Sequence, residues 1–339
     1  MKVRNHNLDL MRVVLCIFVI AFHSLYHFGI ENEFVYELIG MLLVSANGLF
    51  YMISGYFNLE KEFRNSEDIK EFYKKRFIDI IFPFLAFVFV WTIWDYYHET
   101  HSFDVLGILS TYYRAVVDTS SEGHMWFMYT LFGLLMSTPF LSKMLHSMDE
   151  KELKLLWYIS LGYLFVSYFL CRDLGIGFSF MCWIMEGWVI YYFAGYYYRH
   201  VIVKESPIKW AILGIFGYIF TILGNKGLLP FFEIFDDPSS LQPMFTIYCV
   251  ACFMFWDKAI KIKDGKFANV ITFLSKNTYM VYLYHLRGIE YVIRKLSITE
   301  DNFVSGIIIV VGGYIVSLLM AYVTNLCLKP IQKLLSKVL

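Results

Sequence analysis

The sequence predicts an all-α integral membrane protein, a polytopic bundle of about ten transmembrane helices with both termini in the cytoplasm. Three observations lead to this fold class. Of the 339 residues, 58% are hydrophobic and 17% are charged, whereas a soluble domain has roughly 45–50% apolar and about 25% charged residues. Apolar runs that approach the length needed to cross a bilayer recur along the whole chain. The basic residues between these runs are concentrated in alternate loops.

A helix that crosses the bilayer core needs about 20 apolar residues. The chain has ten candidate spans, at residues 8–30, 38–57, 77–97, 125–141, 154–170, 182–198, 208–224, 243–256, 277–296 and 303–326. We expect one transmembrane domain over residues 1–339, with no appended soluble domain. The first run is too long for a signal peptide, carries Arg12 and lacks a small-residue cleavage site.

The loops indicate the orientation. Segments on the amino-terminal side of the spans, with two lysines at span edges, hold 22 of the 29 Lys and Arg residues. Acidic residues dominate the opposite loops. The positive-inside rule therefore places both termini in the cytoplasm, as an even number of spans requires. We expect a multi-pass protein of the plasma membrane, in contact with its lipids. The 29 basic residues balance 29 acidic ones, which disfavours nucleic acid as a partner.

The six cysteines indicate little chemistry. Four lie in apolar runs, where small core residues are the ordinary interpretation. Cys171 and Cys182 flank a predicted outer loop, which leaves a disulfide open. Cys249-x-x-Cys252 lacks a second pair of ligands for zinc. The sequence predicts no metal site.

Ionisable residues inside membrane spans are costly and usually mark function. The first span contains Arg12 and His23. Eleven residues make three helical turns plus about 20°, so the two side chains face the same way with a rise of roughly 16 Å between them. Arg12 has an alternative interpretation as an interfacial anchor, and His23 as an interhelical hydrogen-bonding residue.

Other polar residues lie at a depth similar to that of His23. His124 opens the fourth span from the outer side, and Glu186 lies one turn into the sixth. The ninth span carries His285, followed by Arg287 and Glu290, which have the spacing of a structural ion pair. Their depth would allow these groups to meet His23 in the bundle.

This pattern is suited to a reaction inside the bundle. A histidine can act as a general base near neutral pH and take the proton of a hydroxyl nucleophile. The predicted inner loop at 58–76 ends in Lys74, Lys75 and Arg76. That cluster is either a stop-transfer signal or a clamp for the phosphates of a cytoplasmic ligand.

Five motifs in this order resemble those of membrane-bound acyltransferase family 3. Arg12 and His23 have the spacing of its Arg-x10-His hallmark. The others are Phe50-Tyr51-Met52-Ile53-Ser54-Gly55-Tyr56, the basic cluster before Pro83, His124-x-Trp126-Phe127, and Leu274-Ser275-Lys276-Asn277-Thr278-Tyr279 with Tyr282-Leu283-Tyr284-His285. The sequence departs from the pattern at Asp79, where the family has a second arginine. Since a carboxylate cannot hold a phosphate, Lys74 and Lys75 compensate or the donor is held differently.

The resemblance implies an O-acyltransferase, commonly an O-acetyltransferase, that uses cytoplasmic acyl-CoA. It implies a carbohydrate acceptor, such as a cell-surface polysaccharide or a cell-wall or lipid-linked glycan. Arg12 and Lys74–Arg76 would bind the donor, and His23 would act as general base or as a transient acyl carrier. His124 and Glu186 would orient His23 or the acceptor. Trp126, Tyr279 and His285 are the expected substrate-binding residues.

Two other classes of protein remain open at this point. A transporter or glycan flippase would also carry polar groups inside its bundle, although the sequence contains no inverted repeat. A non-catalytic membrane subunit would use His23 for assembly rather than chemistry. Consumption of acyl-CoA distinguishes the enzyme from both.

Overall fold

The computed structural model describes residues 4–117, 123–167, 187–225 and 243–339 of the chain, and it is all-helical with no strand among these residues. Twelve α-helices lie within the described ranges. They are α1 (His6–His23), α2 (Glu33–Asn58), α3 (Ser66–Arg76), α4 (Phe82–Thr100), α5 (Val105–Val117), α6 (Trp126–His146), α7 (Glu150–Val166), α8 (Val189–His200), α9 (Pro207–Asn225), α10 (Pro243–Ala259), α11 (Lys266–Leu296) and α12 (Phe303–Val338).

Five helical segments in the described part of the chain are long and apolar enough to cross a membrane. They are His6–His23, Glu33–Asn58, Ser66–Thr100, Pro207–Gly224 and Phe303–Val338. Large apolar side chains also cover the outside of α12, where Val311, Ile315 and Leu319 are all more than half exposed. A lipid environment accounts for such a surface, so the molecule is a membrane protein. The predicted ten spans and the cytoplasmic placement of the termini remain predictions.

Several helix boundaries differ from the predicted spans. The first helix ends at His23 rather than near residue 30, and a short 3-10 turn (Leu25–Phe28) follows and ends at Gly29 in the left-handed conformation. Conversely, α11 begins eleven residues before the predicted 277. Its first turns are amphipathic rather than uniformly apolar, so a search for apolar runs does not find them.

Two helices were not predicted at all. The polar helix α3 has an Asn65 capping box and continues through a π-helical turn (Phe77–Ile81) into α4. The helix α5 lies between two predicted spans and packs against α4. At 13 residues, it is shorter than a membrane span.

Helix α1 packs against both α2 and α11. It runs parallel to α11, because His6 contacts Asp264 just before α11 begins, while His23 contacts His285 in its second half. We call the end of the bundle where α1 begins the inner end, and the end where it finishes at His23 the outer end. Both α1 and α11 extend from the inner end toward the outer end, so each helix can contribute residues at both ends of the bundle.

Helices α2 and α8 cross closely because each presents a glycine to the other. A Cβ atom at Gly55 would overlap the carbonyl oxygen of Tyr192, and one at Gly195 would overlap that of Met52. Small residues of this kind let membrane helices approach backbone to backbone. This crossing fixes the position of α2, which provides one wall of the site described below.

Candidate functional site

A cavity of about 430 Å³ opens among α1, α2, α6 and α11, and we call it the inner cavity. Its walls are largely apolar and aromatic, including Phe50, Phe57 and Leu131. Three basic side chains also line it, Arg12, Lys61 and Arg76, and no acidic side chain is among its described lining residues. An apolar cavity with converging cations is suited to a ligand that has both an anionic and an apolar part.

Arg12 is held in place by Asp9. The carboxylate is 2% exposed and accepts a hydrogen bond from Arg12 Nη1 at 2.9 Å. The same carboxylate accepts hydrogen bonds from Ser275 Oγ at 2.8 Å and from Arg4 Nε at 2.5 Å. The Arg12 guanidinium lies 5.0 Å from the ring centroid of Phe57. Arg12 is therefore positioned by α1, α2 and α11 together.

The basic cluster predicted at residues 74–76 contributes one residue to this cavity. Arg76 lines the cavity and donates to Asn58 Oδ1 at 2.9 Å. Lys74 and Lys75 are not among the lining residues, and Lys75 is exposed. Asp79 is exposed as well and is not among the lining residues, although its neighbour Ile80 on the same π-helical turn is. The carboxylate at this position therefore does not enter the cavity.

Lys61 is the second cation at the inner end, and sequence reasoning missed it. It follows α2 directly, with its Nζ 3.3 Å from Asn58 Oδ1 and 4.7 Å from the ring centroid of Phe72. Arg76 lies over the same Phe72 ring, at 5.0 Å. One aromatic ring and one amide therefore hold both cations side by side. The available signal for Lys61 was its position just after the predicted span at residues 38–57.

Three histidines meet toward the outer end, and we call them the histidine cluster. The ring centroids of His23 and His285 are 5.0 Å apart, and those of His124 and His285 are 4.7 Å apart. His23 is exposed, whereas His124 and His285 are buried. The structure thus brings together three residues from α1, α11 and the turn before α6, and leaves His23 the most accessible of them.

The central ring of the cluster has a defined orientation. His285 Nδ1 lies 2.5 Å from the backbone oxygen of Tyr282, and because a carbonyl only accepts, this nitrogen carries the hydrogen. His285 Nε2 is buried without a hydrogen-bond partner among the described residues. In a neutral imidazole that second nitrogen is an acceptor. The cluster therefore presents an imidazole acceptor beside the exposed His23.

Tyr282 separates the inner cavity from the histidine cluster. Its ring lines the cavity, packs 5.2 Å from Phe127, and lies 5.4 Å from the ring of His285. Its hydroxyl donates a hydrogen bond to the backbone oxygen of His124. The cavity and the cluster are therefore neighbours on either side of one aromatic ring.

The remaining predicted site residues lie in different places. Tyr279 lines the inner cavity and donates to the backbone oxygen of Ile80 at 2.7 Å. Trp126 begins α6, where it is partly exposed and packs 5.3 Å from Trp188. Glu186, like the Cys171–Cys182 pair, lies outside the described residues.

Asp9 and Asp95 are further charged residues that sequence reasoning missed. Asp9 is three residues before Arg12, a spacing at which helical side chains meet, so the signal was present. Asp95 of α4 lies 2.5 Å from Arg287, whereas Glu290, the expected partner, is at 3.9 Å. That pairing depends on how two distant helices pack, and the sequence carried no signal for it. No group of acidic, cysteine and histidine residues that could hold a metal was found in the described part of the chain.

These features define an integral membrane protein whose polar residues converge inside a helical bundle. Residues 5–325 match the model of acyltransferase family 3, described as an acyltransferase domain. The chain belongs to this family, as its motifs predicted, and it is an acyltransferase. No match was found among curated proteins or solved structures.

Proposed function

We propose that this acyltransferase transfers an acyl group, commonly acetyl, from cytoplasmic acyl-CoA to a hydroxyl of a cell-envelope carbohydrate. The observation that carries the proposal is the arrangement of α1. It presents Arg12 to a cationic cavity at one end and His23 to the histidine cluster at the other, with a rise of roughly 16 Å between them.

The inner cavity matches the donor in charge and polarity. Acyl-CoA has phosphates at one end and a thioester on an uncharged arm at the other. Lys61 and Arg76 would bind the phosphates at the inner end. Their hydrogen bonds to phosphate oxygens would be strong, because both partners are charged and the site is partly desolvated. Arg12 would contribute too, although Asp9 already balances its charge. The aromatic walls would hold the arm, whose thioester points toward Tyr282.

The chemistry would take place at His23. Its imidazole accepts the proton of the acceptor hydroxyl while that oxygen attacks the thioester carbonyl carbon. The carbon–sulfur bond breaks, and CoA leaves as a thiolate that takes up a proton. His124 and His285 would keep the His23 ring in position. In the covalent variant of this scheme, His23 attacks the thioester carbonyl, the carbon–sulfur bond breaks and CoA leaves as its thiol. The acyl group then passes from the imidazole nitrogen to the hydroxyl oxygen, which gives up its proton as the neutral imidazole is regenerated.

Radiolabelled acetyl transfer in membrane vesicles tests the proposal. Wild-type protein supplied with acetyl-CoA and cell-envelope glycan should label the glycan, and His23→Gln should reduce labelling at least a hundredfold. His27→Gln is the matched control, since His27 is close to His23 in the chain but pairs with Asp301 at 2.7 Å. Full activity in His23→Gln would exclude His23 as the base, and no labelling by the wild type would contradict the donor assignment.

Vesicle orientation tests the side from which the donor enters. Acetyl-CoA added outside should be used by inside-out vesicles and not by right-side-out ones, because the positive-inside rule places the inner end in the cytoplasm. The reverse result would invert the topology. Label retained on the protein in the absence of acceptor, and lost in His23→Gln, would establish the acyl-enzyme route.

A further inference from the structure

A second cavity, of about 510 Å³, opens between the outer halves of α4 and α11, and we call it the outer cavity. Its volume lies within the roughly 300–1,000 Å³ typical of small-molecule sites. Its lining combines aromatic rings with charges of both signs, and it shares no residue with the inner cavity.

Aromatic rings form one part of this cavity. The ring centroids of Trp91 and Trp94 are 6.2 Å apart with the planes at 75°. His98 lies 4.2 Å from Trp94, whose side chain is nevertheless 54% exposed. An indole presents a flat apolar face with a polar N–H at its edge. Such a surface complements the C–H face of a sugar ring, whose edge carries hydroxyls.

Four of the six charged side chains that line the outer cavity form ion pairs with one another. Asp95 lies 2.5 Å from Arg287, which is also 4.6 Å from the ring centroid of Trp91. Glu290 lies 2.7 Å from Arg294. The described lining contains equal numbers of carboxylates and of lysine and arginine side chains: Asp95, Glu99 and Glu290 against Arg287, Arg294 and Lys295.

This balance indicates the kind of ligand. A phosphate or carboxylate would meet repulsion from these acidic residues, whereas the charged residues among the described lining of the inner cavity are all basic. A neutral polyol donates hydroxyl hydrogens to the carboxylates and accepts from the arginines, so both signs contribute. The chemistry therefore favours an uncharged saccharide over an anionic headgroup.

The outer cavity lies on a different side of α11 from the histidine cluster. His285 and Arg287 are two residues apart, which separates their side chains by about 200° around the helix. A sugar bound beside Arg287 therefore lies on another face of α11 than the ring of His285, which contacts His23. We take it to be a sugar other than the one that reacts, within the same oligosaccharide.

We propose that the outer cavity is a saccharide-binding subsite, built on Trp94, Asp95 and Arg287, that holds a part of the acceptor remote from the reacting hydroxyl. The proposal that a saccharide binds here is argued from the cavity alone. The proposal that this saccharide is part of the acceptor rests on the proposed function. The acceptor is then an oligosaccharide or polysaccharide rather than a single sugar.

The first test is binding of the full-length protein, in nanodiscs, to an array of uncharged oligosaccharides. Wild type should bind at least one of them, and Trp94→Ala should weaken this binding about tenfold or more. Trp94→Phe should retain most of it, because the ring face remains. Tyr113→Ala is the matched control, since it removes an aromatic side chain of α5 that is 66% exposed and does not line the cavity.

Absence of binding by the wild type, or equal binding by Trp94→Ala, would overturn the proposal. So would loss of co-purified anionic phospholipid in Trp94→Ala without change in saccharide binding, which would identify a headgroup site. A second test uses acceptors of increasing length. Trp94→Ala should raise KM for long acceptors about tenfold and leave KM for short acceptors and acetyl-CoA unchanged. Failure of acetyl-CoA turnover in the wild type would refute the proposed function but not the binding result.

Discussion

Replacing Asp9 by asparagine tests whether the buried carboxylate positions Arg12 for the donor. Asp9 is 2% exposed and accepts hydrogen bonds from Arg4, Arg12 and Ser275 at 2.5, 2.9 and 2.8 Å. It thereby joins the first turns of α1 to α11. Asparagine keeps the shape of the side chain, but it loses the charge and turns one acceptor oxygen into an NH₂ group that faces donors.

The expected cost follows from this geometry. A hydrogen bond to a charged group contributes about 1.5–3 kcal/mol, and the variant loses at least one. Breaking a fully buried ion pair costs about 3–5 kcal/mol. The two arginines are 28% and 40% exposed, so water compensates for part of the loss. We therefore expect a loss of about 2–3 kcal/mol, which for a chain of this size lowers Tm by about 3–4 °C.

The same change should weaken donor binding. Arg12 without Asp9 is free to leave the cavity wall, so KM for acetyl-CoA should rise about tenfold while kcat changes little. Thermal unfolding in detergent and steady-state kinetics measure the two effects separately. Asp264→Asn is the control, because its carboxylate is 94% exposed and its ion pair in the described part of the chain is with His6, at 3.1 Å. That variant should change stability by less than about 1 kcal/mol.

Two results would refute this reasoning in different ways. Equal Tm values for Asp9→Asn and Asp264→Asn would show that the buried network does not stabilise the bundle. A lower Tm with unchanged KM would show that Asp9 acts on stability alone and that Arg12 does not need it.

Three further predictions concern the cavity walls and the helix crossing. Lys61→Met should raise KM for acetyl-CoA about tenfold, whereas Lys75→Met should change it less than about twofold, as donor titrations will show. Gly55→Ala should destabilise the protein by about 3 kcal/mol or more, because its Cβ would overlap a carbonyl of α8. Gly162→Ala should have no such cost in the same melting assay, because a Cβ atom added at Gly162 meets no other described residue within 4 Å. Tyr282→Leu should increase acceptor-independent hydrolysis of acetyl-CoA relative to transfer, measured as free acetate; an unchanged ratio would contradict the separating role of that ring.

Helical periodicity carried most of what the sequence predicted correctly. Arg12 and His23 lie on one regular helix, so their spacing alone determined that they extend to opposite ends of one face. The apolar runs likewise located most of the helices. Amphipathic segments such as α3 and the start of α11 have no uninterrupted apolar run, and a prediction based on such runs misses them for that reason.

Contacts between helices that are distant in the chain could not be predicted from the sequence. Lys61 enters the cavity because Asn58 and Phe72 hold it there, and Phe72 belongs to a helix that was not predicted. Arg287 pairs with Asp95 rather than with the residue three positions away, because α4 packs beside α11. Such partners follow from tertiary packing, for which a single sequence provides no signal.

The position of Tyr282 connects the donor to the histidines in a way that neither cavity shows alone. If the thioester is to reach His23 from the inner cavity, it must pass the Tyr282–Phe127 pair. The Tyr282 hydroxyl donates a hydrogen bond to the backbone oxygen of His124. Displacing the Tyr282 ring would break this hydrogen bond. Donor entry would then change the surroundings of the cluster at the moment when a base is needed. Before that, in the proposed mechanism, the ring would keep the thioester away from water at the exposed side of His23.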